Sequence, residues 1–321
     1  MFILAISYNQ PKLSPYAVWV GTGITFAPST TVGADVYGIF VDKNNTVYVA
    51  SKAKNRIIVW PEGSTSPRNI TIGVGAPYSV FVTTSGDIYV DNGSSNKRVD
   101  TYFANGTNQT SVMPVTGACY DIFIDISNNL YCSLYASHQV AVTSLNNNST
   151  MWNVAAGACS CGSTQNKLCN PRGIFVDTSL NLYVADCTNN RVQLFQSGQI
   201  NAMTVAGASA SGTITLACPS DVTLDADSYM FIVDSNNHRI VGSGPNGFRC
   251  LVGCTGVAGS TSSDLYYPST LSFDSYGNIY VTDRSNSRVQ KFILQPNTTY
   301  RKYSVLIING VIGYLEFTEA R

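Results

Sequence analysis

Charge is scarce in this chain of 321 residues. Only 12% of the residues are Asp, Glu, Lys or Arg, and the formal net charge is zero. Proteins that bind nucleic acids or anionic membranes usually carry a clear excess of Lys and Arg. We therefore expect no nucleic-acid partner.

Long apolar runs are also missing. A membrane-spanning helix needs roughly 20 apolar residues, and the nearest segment, 304–317, is shorter and contains Asn309, two glycines and Glu316. We expect no membrane insertion. The first residues, MFILAISYNQP, hold an apolar run too short for a signal-peptide core and lack its positive flank. A signal peptide is thus not evident, which leaves open that the N-terminus is incomplete.

Cysteine, by contrast, is frequent, with nine residues. This count fits an oxidising compartment and predicts an extracellular, secreted protein. The close spacings Cys159/Cys161 and Cys250/Cys254 could bind a metal, but only Cys169 lies near either of them, which favours disulfides. The disulfide candidates are Cys161, Cys169, Cys187, Cys218, Cys250 and Cys254.

Eight N-x-S/T sequons support the same compartment. These glycosylation candidates are Asn44, Asn69, Asn92, Asn105, Asn108, Asn147, Asn148 and Asn297.

One sequence unit recurs six times. In its clearest copy, NPRGIFVDTSLNLYVADCTNNRVQLF at 170–195, three β-rich runs are separated by polar turns. The six cores lie near residues 37–60, 78–102, 120–142, 170–195, 220–241 and 269–292. They recur about every 41 to 52 residues, a period typical of β-propeller blades.

The repeat predicts an all-β fold, a six-bladed β-propeller with four-stranded antiparallel blades. Residues 1–296 would form this single domain and 297–321 a C-terminal tail. The sixth copy ends at Phe292 with only three strands, while residues 16–33 resemble the end of a blade. The segment Ile24–Ala27 is therefore predicted to complete the last blade and close the ring, which removes exposed strand edges.

Several positions are constant among the copies. The second strand carries one aromatic residue, which we interpret as packing between blades rather than a stacking platform: Tyr48, Tyr89, Tyr131, Tyr183, Phe231 and Tyr280. Five residues separate an acid from the arginine that opens the third strand in the pairs Asp186/Arg191, Asp234/Arg239 and Asp283/Arg288. We predict a charge-assisted hydrogen bond within the blade for each pair. An arginine cluster that binds an anionic ligand would require these arginines to converge on one point. A radial repeat instead spreads them around the rim of the propeller.

The first hairpin of each copy has a position that needs a positive φ. Asn45, Gly86, Asn128 and Gly277 tolerate it, whereas Leu180 and Ser228 predict two turns of different conformation. Asp residues close five of the innermost strands: Asp42, Asp125, Asp177, Asp225 and Asp274. We interpret each as the acceptor that caps its own turn. The alternative is a carboxylate ring holding Ca²⁺ at the channel mouth, which Thr83 would interrupt.

The copies resemble the NHL repeat, whose unit reads roughly P-x-G-I-x-V-D, then G-N-x-Y-V-A-D, then N-N-R-I-Q-x-F. The fourth copy matches best, for example at Pro171, Gly173, Asp186, Asn190 and Arg191, and the resemblance spans about 37–292. It implies a six-bladed propeller. It leaves function open, because NHL proteins include binding scaffolds, RNA-binding modules and one class of amidating lyase.

The lyases that share this fold hold zinc through several histidines in the channel. This chain has only His138 and His238, on different copies in the loop before the third strand, where we expect surface positions. We therefore assign no catalytic residue, no metal ligand and no cofactor, and we predict no hydrolytic or lyase activity.

We predict a monomeric extracellular scaffold that presents loops to a protein or carbohydrate partner, since sequence variation is concentrated in the connections between copies. The alternative is a metal-dependent lyase or lactone hydrolase that uses the central channel.

The cysteine spacing makes one specific disulfide prediction. Cys187 follows the second strand of the fourth copy and Cys218 precedes the fifth copy, so both would lie at one face on adjacent blades. We expect them to be bonded. Cys132 replaces a core valine and is expected to stay reduced, and the odd total leaves at least one cysteine unpaired.

Overall fold

The computed structural model describes residues 6–70, 74–104, 110–147, 150–210, 212–296, 301–308 and 311–318. Six antiparallel four-stranded sheets form blades around a central axis. Neighbouring innermost strands contact each other around the ring, and that of the last blade contacts that of the first. The predicted all-β six-bladed propeller is confirmed.

The strands of the first three blades follow one another along the chain after an N-terminal strand, β1 (Ile24–Ala27). Blade 1 contains β2 (Val36–Val41), β3 (Val47–Ser51), β4 (Arg56–Trp60) and β5 (Arg68–Ile70). Blade 2 contains β6 (Val80–Val82), β7 (Ile88–Asp91), β8 (Arg98–Tyr102) and β9 (Thr110–Pro114). Blade 3 contains β10 (Cys119–Ile124), β11 (Asn129–Leu134), β12 (Gln139–Ser144) and β13 (Asn153–Gly157).

The remaining blades repeat this order. Blade 4 contains β14 (Pro171–Val176), β15 (Leu182–Asp186), β16 (Arg191–Phe195) and β17 (Met203–Gly207). Blade 5 contains β18 (Pro219–Leu224), β19 (Met230–Asp234), β20 (Arg239–Gly244) and β21 (Gly247–Val252). Blade 6 contains β22 (Leu271–Phe273), β23 (Ile279–Asp283) and β24 (Arg288–Phe292). Strands β25 (Arg301–Ile308) and β26 (Val311–Thr318) pair with each other in a separate two-stranded sheet.

Helices are confined to short connections. The α-helical turns are α1 (Ser29–Val32) and α2 (Gly93–Asn96). Single 3₁₀ turns follow the second strand of four blades, at Tyr135–Ser137, Cys187–Asn189, Ser235–Asn237 and Arg284–Asn286. In the described part of the chain, no helix is long and apolar enough to cross a membrane.

The ring closes through the N-terminal strand, as the sequence predicted. Strand β1 is the outermost strand of blade 6 and pairs antiparallel with β24, with Ile24 opposite Lys291. The indole Nε1 of the buried Trp19 donates a hydrogen bond to the carbonyl oxygen of Gly277 at 2.9 Å, which fixes the approach to this strand.

Each innermost strand runs from one face of the propeller to the other. We call the face where these strands begin the loop face, because the loops between second and third strands lie there. The opposite face, where the first hairpins turn, is the turn face. All six hairpins share a positive φ at one position, including Leu180 at 63° and Ser228 at 65°. The prediction that these two turns differ was wrong, because blade geometry imposes the conformation despite the unfavourable residue.

The five Asp residues at the turn face cap their own turns, as predicted. In each, Oδ1 accepts hydrogen bonds from two backbone N–H groups of the same turn at 2.8 to 3.0 Å. Thr83 takes this position in blade 2, where its Oγ1 accepts from the N–H of Asp87 at 3.1 Å. These carboxylates therefore stabilise the conformation of their own turns.

Four disulfides are present: Cys119–Cys132, Cys161–Cys169, Cys187–Cys218 and Cys250–Cys254. The expectation that Cys132 stays reduced was wrong. A bulge between Cys119 and Ile122 shifts the pairing of β10 with β11 and brings Cys119 beside Cys132. Cys159 is free and exposed.

Candidate functional site: the tyrosine mouth of the channel

The central channel is narrow because aromatic side chains fill it. Phe40, Phe81, Phe123 and Phe175 occupy equivalent positions on consecutive innermost strands, with neighbouring ring centroids 4.9, 5.3 and 5.2 Å apart. Aromatic rings in such tilted arrangements stabilise each other beyond their buried area. The channel is therefore mainly a packed core.

The turn-face end of the channel is covered by the N-terminal segment. The ring of Tyr8 packs against Phe123 and Phe175 at centroid distances of 5.3 and 5.6 Å. Burial raises the pKa of Tyr8, and the Asp177 carboxylate adds to this shift. The same segment binds blades on both sides of the axis, since Asn9 donates to the Asp42 carbonyl at 2.7 Å and Gln10 to the Asp225 carbonyl at 2.9 Å.

The channel encloses a chamber of about 70 Å³, which is lined by residues of all six innermost strands and by Tyr8 and Asn9. Two carboxyl groups line it. Asp121 accepts from the N–H of Ile174 at 2.9 Å, and Asp221 accepts from that of Leu271 at 2.9 Å, so each ties its blade to the next one. Burial raises the pKa of Asp121 to about 7. Burial also raises the pKa of Asp221 well above its ordinary value, and the Asp121 charge contributes.

Three tyrosines lie together at the loop-face end of the innermost strands. Tyr37, Tyr78 and Tyr120 hold the same position at the start of blades 1 to 3. Their ring centroids lie 4.7 Å (Tyr37 to Tyr78), 4.7 Å (Tyr78 to Tyr120) and 6.0 Å (Tyr37 to Tyr120) apart. Tyr135 stacks on Tyr120 at 4.5 Å. Burial raises the pKa of Tyr120, so its hydroxyl stays protonated at physiological pH.

Three cations surround these rings. The ammonium of Lys52 lies 4.5 Å from the Tyr78 ring centroid. The guanidinium of Arg172 lies 5.8 Å from that of Tyr120, and the guanidinium of Arg284 lies 5.4 Å from that of Tyr37. Cations at such distances from an aromatic face are attracted by its quadrupole. We call this surface the tyrosine mouth and define it by Tyr37, Lys52, Tyr78, Tyr120, Tyr135, Arg172 and Arg284.

The aromatic surface continues towards blade 6. Tyr266 and Tyr267 stack on each other at 5.2 Å, and Arg284 also lies 5.9 Å from the Tyr267 ring. Tyr266 is 38% exposed, which makes it the most accessible ring of this group.

The arginines predicted from the repeat do not join the mouth. Arg191, Arg239 and Arg288 bind Asp186, Asp234 and Asp283 at 2.8, 2.8 and 2.7 Å, which confirms the predicted pairs within blades. Arg191 also donates to the carbonyl oxygens of Ser163 at 2.8 Å, Thr164 at 3.1 Å and Lys167 at 3.1 Å. The guanidinium groups of these arginines are therefore already paired with aspartates and loop carbonyl oxygens.

The two histidines lie in the loops where the sequence placed them, but they are half-buried rather than exposed. The Nδ1 of His138 accepts from the N–H of Asn170, and that of His238 accepts from the N–H of Tyr267, both at 3.1 Å. Burial lowers the pKa of His238. Each ring thus joins its blade to the connection that leads to the next blade.

A second depression lies on the turn face between blades 2 and 3, with a volume of about 280 Å³. Its polar side chains bind one another: Ser85 lies 2.8 Å from the Thr83 hydroxyl and donates to Asp87 at 2.6 Å. It also adjoins Ile6, where the described chain begins. We therefore place the candidate site at the tyrosine mouth.

The sequons differ in accessibility. Asn44 and Asn147 are exposed. Asn92 is 1% exposed, its amide donates to Asp100, and its Oδ1 accepts from the N–H of Gly75 at 2.6 Å, so this candidate was wrong for the folded protein. The Asn69 side chain lies outside the description, and Asn105, Asn108, Asn148 and Asn297 lie outside the described residues.

The sequence reading missed the tyrosine mouth. A signal was present, because the first three copies begin with Tyr37, Tyr78 and Tyr120. The repeat did not predict that cations lie beside these tyrosines. Lys52 and Arg284 come from loops, and Arg172 replaces the tyrosine in one copy only.

Comparison with known proteins agrees with this architecture. The family model of the NHL repeat matches residues 168–195 and 265–292, which fall in blades 4 and 6. The matches confirm the predicted NHL repeat in these two blades of the six-bladed propeller. No curated protein sequence matches it significantly.

Solved structures share the fold at low sequence identity. A protein of unknown function from Bacteroides thetaiotaomicron superposes with a TM-score of 0.68 at 16% identity, covering 91% of this chain and 76% of that one. An auxiliary nutrient binding protein from the same organism gives 0.63 at 13%, with coverages of 91% and 76%. A catalytically inactive variant of virginiamycin B lyase from Staphylococcus aureus, with quinupristin, gives 0.58 at 14%, with coverages of 82% and 82%.

Proposed function

We propose that this protein is an extracellular binding propeller that recognises a protein or carbohydrate partner through the tyrosine mouth, without catalysing a reaction. The observation that carries the proposal is the arrangement of Lys52, Arg172 and Arg284 over tyrosine rings, with no carboxylate within ion-pair distance of any of them among the described residues. The mouth residues are half-buried, and tyrosine and arginine are residue types that often dominate binding energy at interfaces.

The extracellular location is supported by the four disulfides, because such bonds persist in oxidising compartments. The fold likeness to an auxiliary nutrient binding protein is compatible with a binding role. The scaffold is also suited to it, since six blades and a closed ring hold the mouth residues on rigid strands and short loops.

The alternative is a metal-dependent lyase or lactone hydrolase that works in the channel, and the likeness to virginiamycin B lyase makes it worth testing. Two observations weigh against it. The chamber encloses about 70 Å³, whereas ligand pockets usually measure roughly 300 to 1,000 Å³. The imidazoles of His138 and His238 are engaged as hydrogen-bond acceptors between blades.

A binding screen tests the proposal. The purified propeller is passed over arrays of immobilised glycans and extracellular proteins, and each ligand that binds is tested again with Lys52→Ala and Tyr78→Ala. We expect both variants to weaken binding. Tyr276→Ala is the matched control, because this tyrosine is 66% exposed on the turn face, where its hydroxyl donates to Glu62 at 3.1 Å.

Equal binding by all three variants and the wild type would refute the role of the mouth. The catalytic alternative is tested separately with lactone and ester substrates in the presence of added Zn²⁺ or Ca²⁺. Turnover that is lost in His238→Ala or Asp121→Asn would refute the absence of catalysis.

A further inference from the structure

We propose that the tyrosine mouth binds acidic glycans, that is, sugar chains that carry carboxylate or sulfate groups. The inference rests on the proposed function and names its ligand class.

The chain contains two kinds of arginine on the loop face. Arg191, Arg239 and Arg288 are each neutralised by an aspartate. Arg172 and Arg284 have no such partner among the described residues; the only polar contact of Arg284 there is a hydrogen bond to the Tyr37 hydroxyl at 3.1 Å. Blade 4 therefore carries one arginine that is paired with an aspartate, Arg191, and one that has no acidic partner among the described residues, Arg172.

Arg172 gives the strongest indication. Its Nε is buried and has no hydrogen-bond partner among the described residues. Leaving a buried donor unpaired costs free energy, and a ligand oxygen that reached it would recover that cost. A guanidinium presents its N–H groups as a planar fork that matches carboxylate and sulfate oxygens.

The neighbouring rings fit a sugar. Tyr120 and Tyr135 stack at 4.5 Å on one side of Arg172, and Tyr266 and Tyr267 form a second aromatic pair near Arg284. Aromatic side chains with a polar tip provide both an apolar face for the C–H groups of a pyranose and a hydroxyl for its oxygens. Anionic substituents on such a sugar would meet the cations at the edge of the rings.

Nearby carboxyl groups do not cancel the positive charge. Asp35 acts on Lys52 through space but lies beyond ion-pair distance. Asp264 accepts from the Thr261 hydroxyl at 2.6 Å at the edge of blade 6. In the chamber below, burial raises the pKa of both Asp121 and Asp221, so the pair carries less than two negative charges at neutral pH.

A single-stranded nucleic acid would also offer an anionic backbone and flat rings. The glycan is favoured because four disulfides indicate an extracellular compartment, where acidic polymers are mainly glycans.

The test measures equilibrium binding to four defined probes: polygalacturonate for carboxylates, dextran sulfate for sulfates, unmodified dextran as the neutral control, and oligo-dT as the nucleic acid. We expect binding to at least one of the acidic glycans, which identifies the anionic group. No binding to dextran and weaker binding as salt is raised are also expected. Arg172→Ala, Arg284→Ala and Lys52→Ala should each weaken binding about tenfold, the loss expected for one charge-assisted hydrogen bond.

Two matched variants complete the design. Lys43→Ala removes an exposed charge from the turn face and should leave binding unchanged. Arg172→Lys should restore only part of the affinity, because an ammonium lacks the planar fork. Thermal unfolding of each variant verifies that it is folded.

Binding to neither acidic glycan, or to oligo-dT alone, would overturn the inference. So would acidic-glycan binding that the three mouth variants leave unchanged. If a protein or neutral glycan from the binding screen depends on the mouth while the acidic glycans do not bind, the proposed function stands and only the ligand class is refuted.

Discussion

The Nδ1 of His238 accepts a hydrogen bond at 3.1 Å from the backbone N–H of Tyr267, which lies in the connection between blades 5 and 6. Asn190 makes the equivalent bond to the N–H of Cys218 at 2.8 Å, and Asn55 makes it to the N–H of Ala76 at 2.8 Å. All three acceptors have a positive φ at the end of the loop after the second strand. The histidine therefore replaces the asparagine of the repeat as a link between blades.

This link makes a pH-dependent prediction for His238. Burial lowers its pKa in the folded state, and protonated Nδ1 could not accept the hydrogen bond. The unfolded chain then binds the proton more readily, so stability should fall as pH drops below about 6.5. His238→Asn should retain the bond and abolish this contribution, whereas His238→Leu should lose about 1 kcal/mol at pH 8. Denaturant unfolding at pH 5 and pH 8 measures both, and an unchanged pH slope in His238→Asn would contradict the assignment.

Asp121 should act in the opposite direction. Burial raises its pKa to about 7 from the ordinary 3.8. The folded protein therefore retains a proton that the unfolded chain releases, and stability should fall as pH rises from about 4 to 7. Asp121→Asn keeps an acceptor for the N–H of Ile174 and should flatten this decline. A decline as steep in the variant as in the wild type would show that Asp121 is not its source.

Ser228 offers a stabilising substitution. It is exposed and has a φ of 65°, a conformation that costs a residue with a Cβ roughly 1 kcal/mol. Ser228→Gly should raise the free energy of unfolding by about 0.5 to 1 kcal/mol. Ser179→Gly is the control, because Ser179 lies in the equivalent hairpin of blade 4 but has no positive φ. This substitution should not raise the free energy of unfolding. Equal effects of the two substitutions in chemical denaturation would contradict the strain argument.

The disulfide Cys187–Cys218 joins blades 4 and 5 across a sequence separation of 31 residues. Its removal by Cys187→Ala with Cys218→Ala should lower the free energy of unfolding by roughly 3 to 4 kcal/mol, because the unfolded chain loses a constraint. Non-reducing peptide mapping identifies the bond. Recovery of Cys187 as a free thiol, or linked to Cys159, would show that the loops are placed wrongly.

The fold could be predicted from the sequence because a repeated unit imposes one geometry on every copy. The period identified the blades, and the missing fourth strand of the sixth copy predicted that β1 pairs with β24. The paired Asp and Arg of one blade are five residues apart in the sequence. Their contact is therefore local and could be predicted from the spacing. The bond between Cys119 and Cys132 was not, because it depends on a bulge that the alternation of β10 does not show.

The candidate site could not be predicted from the repeat, because its residues vary among the copies. A repeat draws attention to positions that stay constant, such as the second-strand tyrosines, where Tyr48 and Tyr183 pack against Phe40 and Phe175 of their own blades. The tyrosine mouth is built from positions that differ among copies, where Tyr120 is followed in the next blade by Arg172 and then by Ser220. Only the closure of the ring brings them together.

The most direct test of this account is hydrogen–deuterium exchange of the propeller with and without a ligand retained in the binding screen. Ligand binding at the tyrosine mouth should protect loop-face peptides that contain Tyr37, Tyr78, Tyr120, Tyr135 or Arg284, with no protection at the turn-face hairpins 42–46 and 274–278. Protection at those hairpins, with unchanged exchange at the tyrosine mouth, would contradict it.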